Sequence, residues 1–388
     1  MDIHADNYEE FTCIGGECKR NCCQGWTIDL DPDTTAYYQS LDDEYGEYIK
    51  SHLEVADNCI GKFHLKKGEK CPAQQEDGLC EIFIRYGEDK LSRTCTNFPR
   101  YNVTVFGDNK VRFLINECEE VLRLMYDREK KIDLIIEAKD KKDLDKNVVM
   151  ADFAQLVAWG CDTIQDESIP LWNALITVLH VFVEASKPFM DVEMETYDRV
   201  IKSIPAIFQS YEQAICGIDR DSLKELAWER IRLITVAYLD LLGMTDFMVC
   251  KDMFPVIEKY DPNDEERGDR VREQYERFYS KMSPKDKSFY RRFIANLIVT
   301  YCFDLVTDDA RNNYLNENAA KVIISLTVPP LWKDEDLTDR MEFFSKLSML
   351  QRMTKKAMIS KLAGPIKEQM APDLVDYAVM FAGLFGLE

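Results

Sequence analysis

From about residue 148 onward, apolar side chains return every three or four positions, the period of an α-helix that buries one face. The pattern predicts helices over roughly 149–161, 169–186, 193–215, 221–242, 269–280, 285–303, 313–326, 336–361 and 372–385. Loops near Pro188, Pro255, Pro262, Pro284, Pro329, Pro330 and Pro372 separate them, and their irregular spacing excludes a solenoid repeat. The first 125 residues are loop-rich. Residues 26–30 alternate apolar and polar as a short strand, and Asp31 and Pro32 then open a helix as N-cap and first-turn residue. Tyr37, Tyr38, Leu41, Tyr45 and Ile49 would form its apolar face. A short helix is expected over 80–86, ended near Gly87, followed by a β-hairpin over 102–106 and 111–115 and a helix over 117–126. Between these parts lies a mixed-charge stretch, with Ile132, Leu134, Ile135 and Ile136 in its middle. The expectation is a mainly α protein: a cysteine-rich, metal-binding N-terminal module with a β-hairpin (1–125), a charged connection (126–147) and an irregular all-α helical domain (148–388).

Charge narrows the partners. Seventy acidic and 49 basic residues give a net charge of −21, so nucleic acid and anionic membranes are excluded as general partners, whereas a lysine-bearing protein suits. The first ten residues lack the basic start and apolar run of a signal peptide, and stretches such as 294–303 are too short to span a bilayer. The expected location is the cytoplasm, where thiols stay reduced.

That expectation makes the thirteen cysteines the main chemical signal. Two strings stand out, Cys13, Cys18, Cys22 and Cys23, then Cys71, Cys80, Cys95 and Cys118. Thiolates are soft ligands for zinc and for iron–sulfur clusters. Metal binding is favoured over disulfides by compartment, and over unliganded thiols by clustering. Paired C-x2-C knuckles are missing, and adjacent Cys22 and Cys23 rarely face one metal, which leans toward iron–sulfur and leaves zinc as the alternative. Cys59 lies outside both strings and is expected to be dispensable. Cys161, Cys216, Cys250 and Cys302 sit singly in helical patterns and read as small core residues.

Other candidates read as structure. Gly15 and Gly16 form no phosphate loop, and no strand–Gly-x-Gly–helix fingerprint appears. His180 reads as a satisfied core histidine, Trp228 and Tyr238 as core, and Asn296 as a group that satisfies buried backbone.

The cysteine strings carry a resemblance. Phe11-Thr12-Cys13-Ile14-Gly15-Gly16-Glu17-Cys18 and Asn21-Cys22-Cys23-Gln24-Gly25-Trp26 resemble the start of the flagellin lysine-N-methylase (FliB) family. So do Lys70-Cys71-Pro72, Asp77-Gly78-Leu79-Cys80-Glu81-Ile82, Leu91-Ser92-Arg93-Thr94-Cys95 and Asn97-Phe98-Pro99-Arg100. Cys118-Glu119-Glu120 stands where the family pattern is Cys-Pro-Glu. Parts of the pattern are shared with a broader group of zinc- or iron-chelating cysteine-rich proteins, and the helical part resembles the family only through 293–303. The resemblance implies methyl transfer from S-adenosylmethionine to flagellin lysines, with a [4Fe–4S] cluster held by the N-terminal cysteines. Under that reading Trp26 and Arg100, which flank the cysteine strings, are candidates to line the donor groove, Trp26 by stacking and Arg100 by pairing with a carboxylate. The structural reading of the same two residues is a core side chain and a loop-capping group. The competing functions are a metal-stabilised, non-catalytic scaffold and a redox or radical enzyme; a C-x3-C-x2-C run, which the latter would favour, is missing.

Overall fold

The helical period is realised in a computed structural model, which describes residues 1–24, 27–56, 59–65, 70–105, 107–186, 195–244, 267–306, 311–332, 337–354 and 373–385. The strands are β1 (Asp2–Ala5), β2 (Ile28–Leu30), β3 (Glu54–Val55), β4 (Gly61–Phe63), β5 (Arg100–Val105), β6 (Asn109–Leu114) and β7 (Leu134–Glu137). In the N-terminal part the helices are α1 (Pro32–Ser40), α2 (Glu44–Ser51), α3 (Glu81–Tyr86), α4 (Arg93–Asn97) and α5 (Glu119–Asp127), with α6 (Lys141–Lys146) just beyond. The helical domain follows as α7 (Val148–Gln165), α8 (Leu171–Ser186), α9 (Glu195–Cys216), α10 (Arg220–Met244), α11 (Arg267–Tyr279), α12 (Pro284–Cys302), α13 (Arg311–Thr327), α14 (Arg340–Met353) and α15 (Leu374–Phe385). Each of these last nine elements overlaps one of the helices expected from periodicity.

The expected hairpin is β5–β6, but it belongs to a larger sheet of order β5-β6-β1-β7. Strand β1 runs parallel to β6, with Ile3 opposite Val111, and antiparallel to β7, with Ile3 opposite Ile136. The stretch read as a charged connection therefore contributes a strand. Four-residue strands give too short an alternation to register as a pattern, and their pairing is entirely non-local. A second, antiparallel sheet has the order β2-β4-β3.

The helix expected after Asp31 starts as the sequence implies, with the Asp31 carboxylate accepting from the Thr34 amide at 3.1 Å. It does not continue through Ile49. Leu41 turns to extended backbone, and Asp43 begins α2 by accepting from the Gly46 amide at 2.6 Å. A local cap thus overrides the continuous apolar stripe.

Two apolar cores result. The main one joins Ile3 and Phe113 of the first sheet to Phe153, Phe182, Phe293, Leu350 and Phe381 of the helical domain. The second, among the described residues, is small: Ile28, Leu30, Tyr38, Ile49, Phe63, Cys71, Ala73 and Ile82. Helix α12 is central to the main core, opened by a capping box between Ser283 and Asp286. Asn296 acts as expected. Its side-chain amide donates to the Leu114 carbonyl at 2.8 Å and to Asn116 Oδ1 at 2.7 Å, while the Asn116 amide donates to the Phe293 carbonyl at 3.0 Å. This network ties α12 to the end of β6. Asn296→Ala orphans both partners and is expected to lower stability by about 2–4 kcal/mol. Denaturant unfolding checks this, and an unchanged midpoint would remove the role assigned to Asn296.

His180 pairs with the Tyr211 hydroxyl at 3.0 Å, and Trp228 and Tyr238 are buried in the core, as expected. Cys161 and Cys302 are buried core residues too. Cys216 corrects the reading from periodicity: it is exposed, because it stands off the buried face of α9 that Ile207, Tyr211 and Ile215 form. Cys250 lies outside the described residues. Among the described residues no helix is long and apolar enough to cross a membrane.

Candidate metal centre

The two cysteine strings meet by backbone pairing. The Cys71 amide donates to the Cys23 carbonyl at 2.8 Å, and Gln24 bridges Lys70. Gly16 lies directly on Asp77 and Gly78, where a Cβ would stand 2.3 Å from the Asp77 carbonyl oxygen. The two glycines that form no phosphate loop thus serve to let one cysteine loop lie against the other. Local structure then aims the remaining thiols. Cys80 is the N-cap residue of α3 and Cys118 that of α5. Cys95 lies in the first turn of α4, where its amide donates to the N-cap Ser92 hydroxyl at 3.2 Å. Cys59, exposed and in left-handed backbone, stands apart from both strings.

Burial and neighbouring groups set the acidity of seven of these thiols. Burial pushes Cys18 and Cys80 up, and Cys71 and Cys118 up to about 12. Cys95 is exposed by area, yet desolvation by the dense surrounding chain still pushes its thiol up to about 11. Cys22 goes the other way. Its sulfur accepts from the Cys23 thiol, and the Arg352 guanidinium adds to the stabilisation of its thiolate, whereas Cys23, as the donor, is pushed up. Thiols buried in this way stay protonated unless a cation favours their thiolates, and soft thiolate donors suit a thiophilic metal or an iron–sulfur cluster. Among the described residues, no three Cys, His, Asp or Glu side chains converge on the point of a single bare ion.

The helical domain clamps this region through residues that sequence reasoning missed. Arg352, near the end of α14, donates from Nε to the Glu117 carbonyl at 2.7 Å, and from its two terminal nitrogens to the Asn21 and Arg20 carbonyls at 3.0 Å each. Glu119 accepts from the Lys19 amide at 2.9 Å and the Arg20 amide at 3.2 Å. The departure from Cys-Pro-Glu marked Glu119 as unusual, because proline there would leave those two amides without this acceptor. Nothing local marked Arg352. At the start of α14, Lys19 pairs with Asp339 at 2.9 Å and Arg20 with Glu342 at 2.6 Å.

Of the two donor-groove candidates, Trp26 lies outside the described residues. Arg100 opens β5, donates to the Phe11 carbonyl at 3.0 Å and covers the Phe11 ring at 5.0 Å.

Beside the clamp, between α11, α12 and the start of α14, lies a cavity of about 450 Å³. Phe278, Phe289, Tyr290 and Phe343 form apolar walls, Arg277 and Lys281 bring positive charge, and Arg340 is paired with Asp286 at 2.7 Å. Tyr290 is buried, and among the described residues its hydroxyl has no hydrogen-bond partner. Burial pushes that phenol up, so it stays a neutral donor.

A 117-residue stretch, 29% of the chain, is 33% identical to the flagellar biosynthetic protein FliU of Salmonella muenchen and covers 68% of that protein. The chain belongs to the flagellin lysine-N-methylase (FliB) family. Over 117 residues it is also 34% identical to proteins named lysine-N-methylase from Salmonella typhimurium and Salmonella choleraesuis. Those matches cover 29% of this chain and 29% of each relative, so the chain aligns with under a third of the length of these two relatives. No family model matches the chain, and no solved structure does.

Proposed function

We propose that this chain is an S-adenosylmethionine-dependent protein lysine N-methyltransferase acting on flagellin, with a [4Fe–4S] cluster held by thiolates among Cys13, Cys18, Cys22, Cys23, Cys71, Cys80, Cys95 and Cys118. The observation that carries the reading is the pairing of the two cysteine loops, one of them clamped onto α14, whose start lines a cavity of about 450 Å³. The names of the relatives supply the reaction class. When bound, the cluster would supply a redox-active, Lewis-acidic centre.

The chain's own residues would bind and orient. The neutral lysine amine attacks the methyl carbon, the carbon–sulfur bond breaks, S-adenosylhomocysteine leaves and the ammonium formed gives up a proton. The cationic rim of the cavity repels a lysine and suits the carboxylate of the donor, whose adenine would rest on the aromatic walls, with Tyr290 donating to a polar atom. The excess negative charge of the chain favours approach of a lysine-bearing partner such as flagellin.

The test uses the full chain, purified anaerobically, with labelled S-adenosylmethionine and flagellin. Methyl groups on lysine Nε are the expected product. In calorimetry, Lys281→Ala and Tyr290→Phe are expected to weaken donor binding about tenfold each, with Trp26→Ala and Arg100→Ala unchanged. The reverse pattern places the donor in the groove flanked by Trp26 and Arg100. If metal-loaded chain neither binds the donor nor methylates any lysine, the protein is a metal-stabilised scaffold instead.

A further inference from the structure

Helix α3 is six residues long and buries one apolar side chain, Ile82. Phe83 and Ile84, next to it, are 49% and 53% exposed. They are not isolated. Leu79 and Ile84 take the N′ and N4 positions of α3, which face each other across the start of a helix. Leu79 is exposed too, and its side chain lies within van der Waals reach of Gly15 in the first cysteine loop. Phe83 and Tyr86 occupy neighbouring positions one turn apart. From Tyr86 the rings continue to Tyr45 at 6.3 Å, and from Tyr45 to Tyr48 at 6.0 Å, both on α2. Of the eleven large apolar side chains exposed among the described residues, Tyr48, Leu79, Phe83 and Ile84 belong to this strip, so the exposure is concentrated rather than scattered.

The strip is set among carboxylates. Residues 42–50 and 81–90, which carry its rings, hold seven of them, Asp42, Asp43, Glu44, Glu47, Glu81, Glu88 and Asp89, against Lys50, Arg85 and Lys90. That imbalance is steeper than the 70 to 49 of the whole chain. The three cations are already committed: Lys50 to Glu47 at 2.6 Å, Lys90 to Asp89 at 2.9 Å and Arg85 to Glu81. Asp42, Glu44 and Glu88 are exposed and have no cationic partner among the described residues. The tyrosine faces draw cations as well. Arg85 covers the Tyr45 ring at 4.8 Å, and Lys90 covers the Tyr37 ring at 5.1 Å.

We infer that this strip is a docking surface for a protein partner that presents an amphipathic helix, its apolar stripe flanked by lysines. The stripe would cover Leu79, Phe83, Ile84 and Tyr48, and the flanking ammonium groups would pair with Asp42, Glu44 and Glu88. The same carboxylates repel nucleic acid and anionic lipid. The inference rests on the reading of the partner as a lysine-bearing protein, and it adds where that partner is gripped. The grip is on the cysteine-rich module, by side chains that take no part in lining the donor cavity. Docking and chemistry are therefore separable.

The test uses the full chain and two synthetic helical peptides that share a leucine stripe, one flanked by lysines and one by glutamates. In fluorescence anisotropy the lysine peptide should bind, more weakly as salt rises, and the glutamate peptide should not. Phe83→Ser combined with Ile84→Ser should weaken binding about tenfold, as should Glu44→Lys combined with Glu88→Lys. Leu226→Ser combined with Leu233→Ser, exposed on α10, should leave it unchanged. Circular dichroism and metal content separate misfolding from lost contact. Tyr48→Ser, on a helix without cysteines, replaces the α3 variant if that one misfolds. With flagellin as substrate, the α3 variant should raise KM and leave kcat unchanged. Equal binding of the two peptides, or binding unchanged in the α3 and Tyr48 variants, would overturn the proposal. So would an unchanged KM in a chain that methylates flagellin, or a dimer in sedimentation that the α3 variant splits, because a second copy would then be the occupant. Selective peptide binding by a chain that methylates no lysine sinks the enzymatic reading and leaves the docking surface standing.

Discussion

Arg352→Ala is expected to release the first cysteine loop from the helical domain, cutting stability by about 2–4 kcal/mol and depleting the metal proposed for the N-terminal thiolates. One guanidinium serves three carbonyls on two segments far apart in sequence, those of Arg20, Asn21 and Glu117. Its loss leaves half-buried acceptors unpaired, and hydrogen bonds from a charged donor are among the stronger ones. It also strips the positive charge that favours the Cys22 thiolate. Arg352→Lys should rescue little, because an ammonium is a point charge that cannot span the same fork. Metal analysis and denaturant unfolding of both variants are the checks. Wild-type metal content with an unchanged midpoint in Arg352→Ala would show that the clamp is ornamental.

Gly16→Ala should be nearly as damaging. The new methyl would meet backbone, the Asp77 carbonyl oxygen at 2.3 Å, so no side chain can move aside, and the two cysteine loops must separate. Gly78→Ala adds backbone strain, since Gly78 has φ +84 and its Cβ would stand 2.9 Å from Gly16 Cα. We expect about 2–4 kcal/mol for either change, with loss of metal. Gly107→Ala is the control. It has a similar φ of +83 but nothing within 4 Å, so only the conformational penalty of about 1 kcal/mol should appear, with metal retained. Equal effects at Gly16 and Gly107 would refute close loop contact as the reason for glycine at Gly16.

What the sequence revealed was mostly local. The 3.6-residue period gave α7 through α15, Asp31 announced a cap, and Asn296 was recognisable as a polar group required by buried backbone. The cysteine strings carry the expectation of soft-metal chemistry by residue type alone. What stayed hidden was set by contacts between distant segments. Strand β1 has no pattern of its own and acquires meaning only from β6 and β7. Arg352 reads as one more charge on a helix until Arg20, Asn21 and Glu117 turn their carbonyls to it. The break at Leu41 was written in Asp43, a stronger local signal than the stripe that ran across it. Cys216 followed the helical pattern yet stands off the buried face that ends in Ile215. The contact of the two cysteine loops follows from how they cross at Gly16 and Gly78, which spacing along the chain does not encode.

The clamp also imposes a schedule on a chain made from its N-terminus. The first cysteine loop is complete at Cys23, yet it is not paired until Cys71 has emerged and not pinned until Arg352 has. Through that interval the chain exposes a half-organised thiol loop. The Cys13–Cys22 segment is the part most open to premature oxidation or to capture of the wrong metal before the protein is finished.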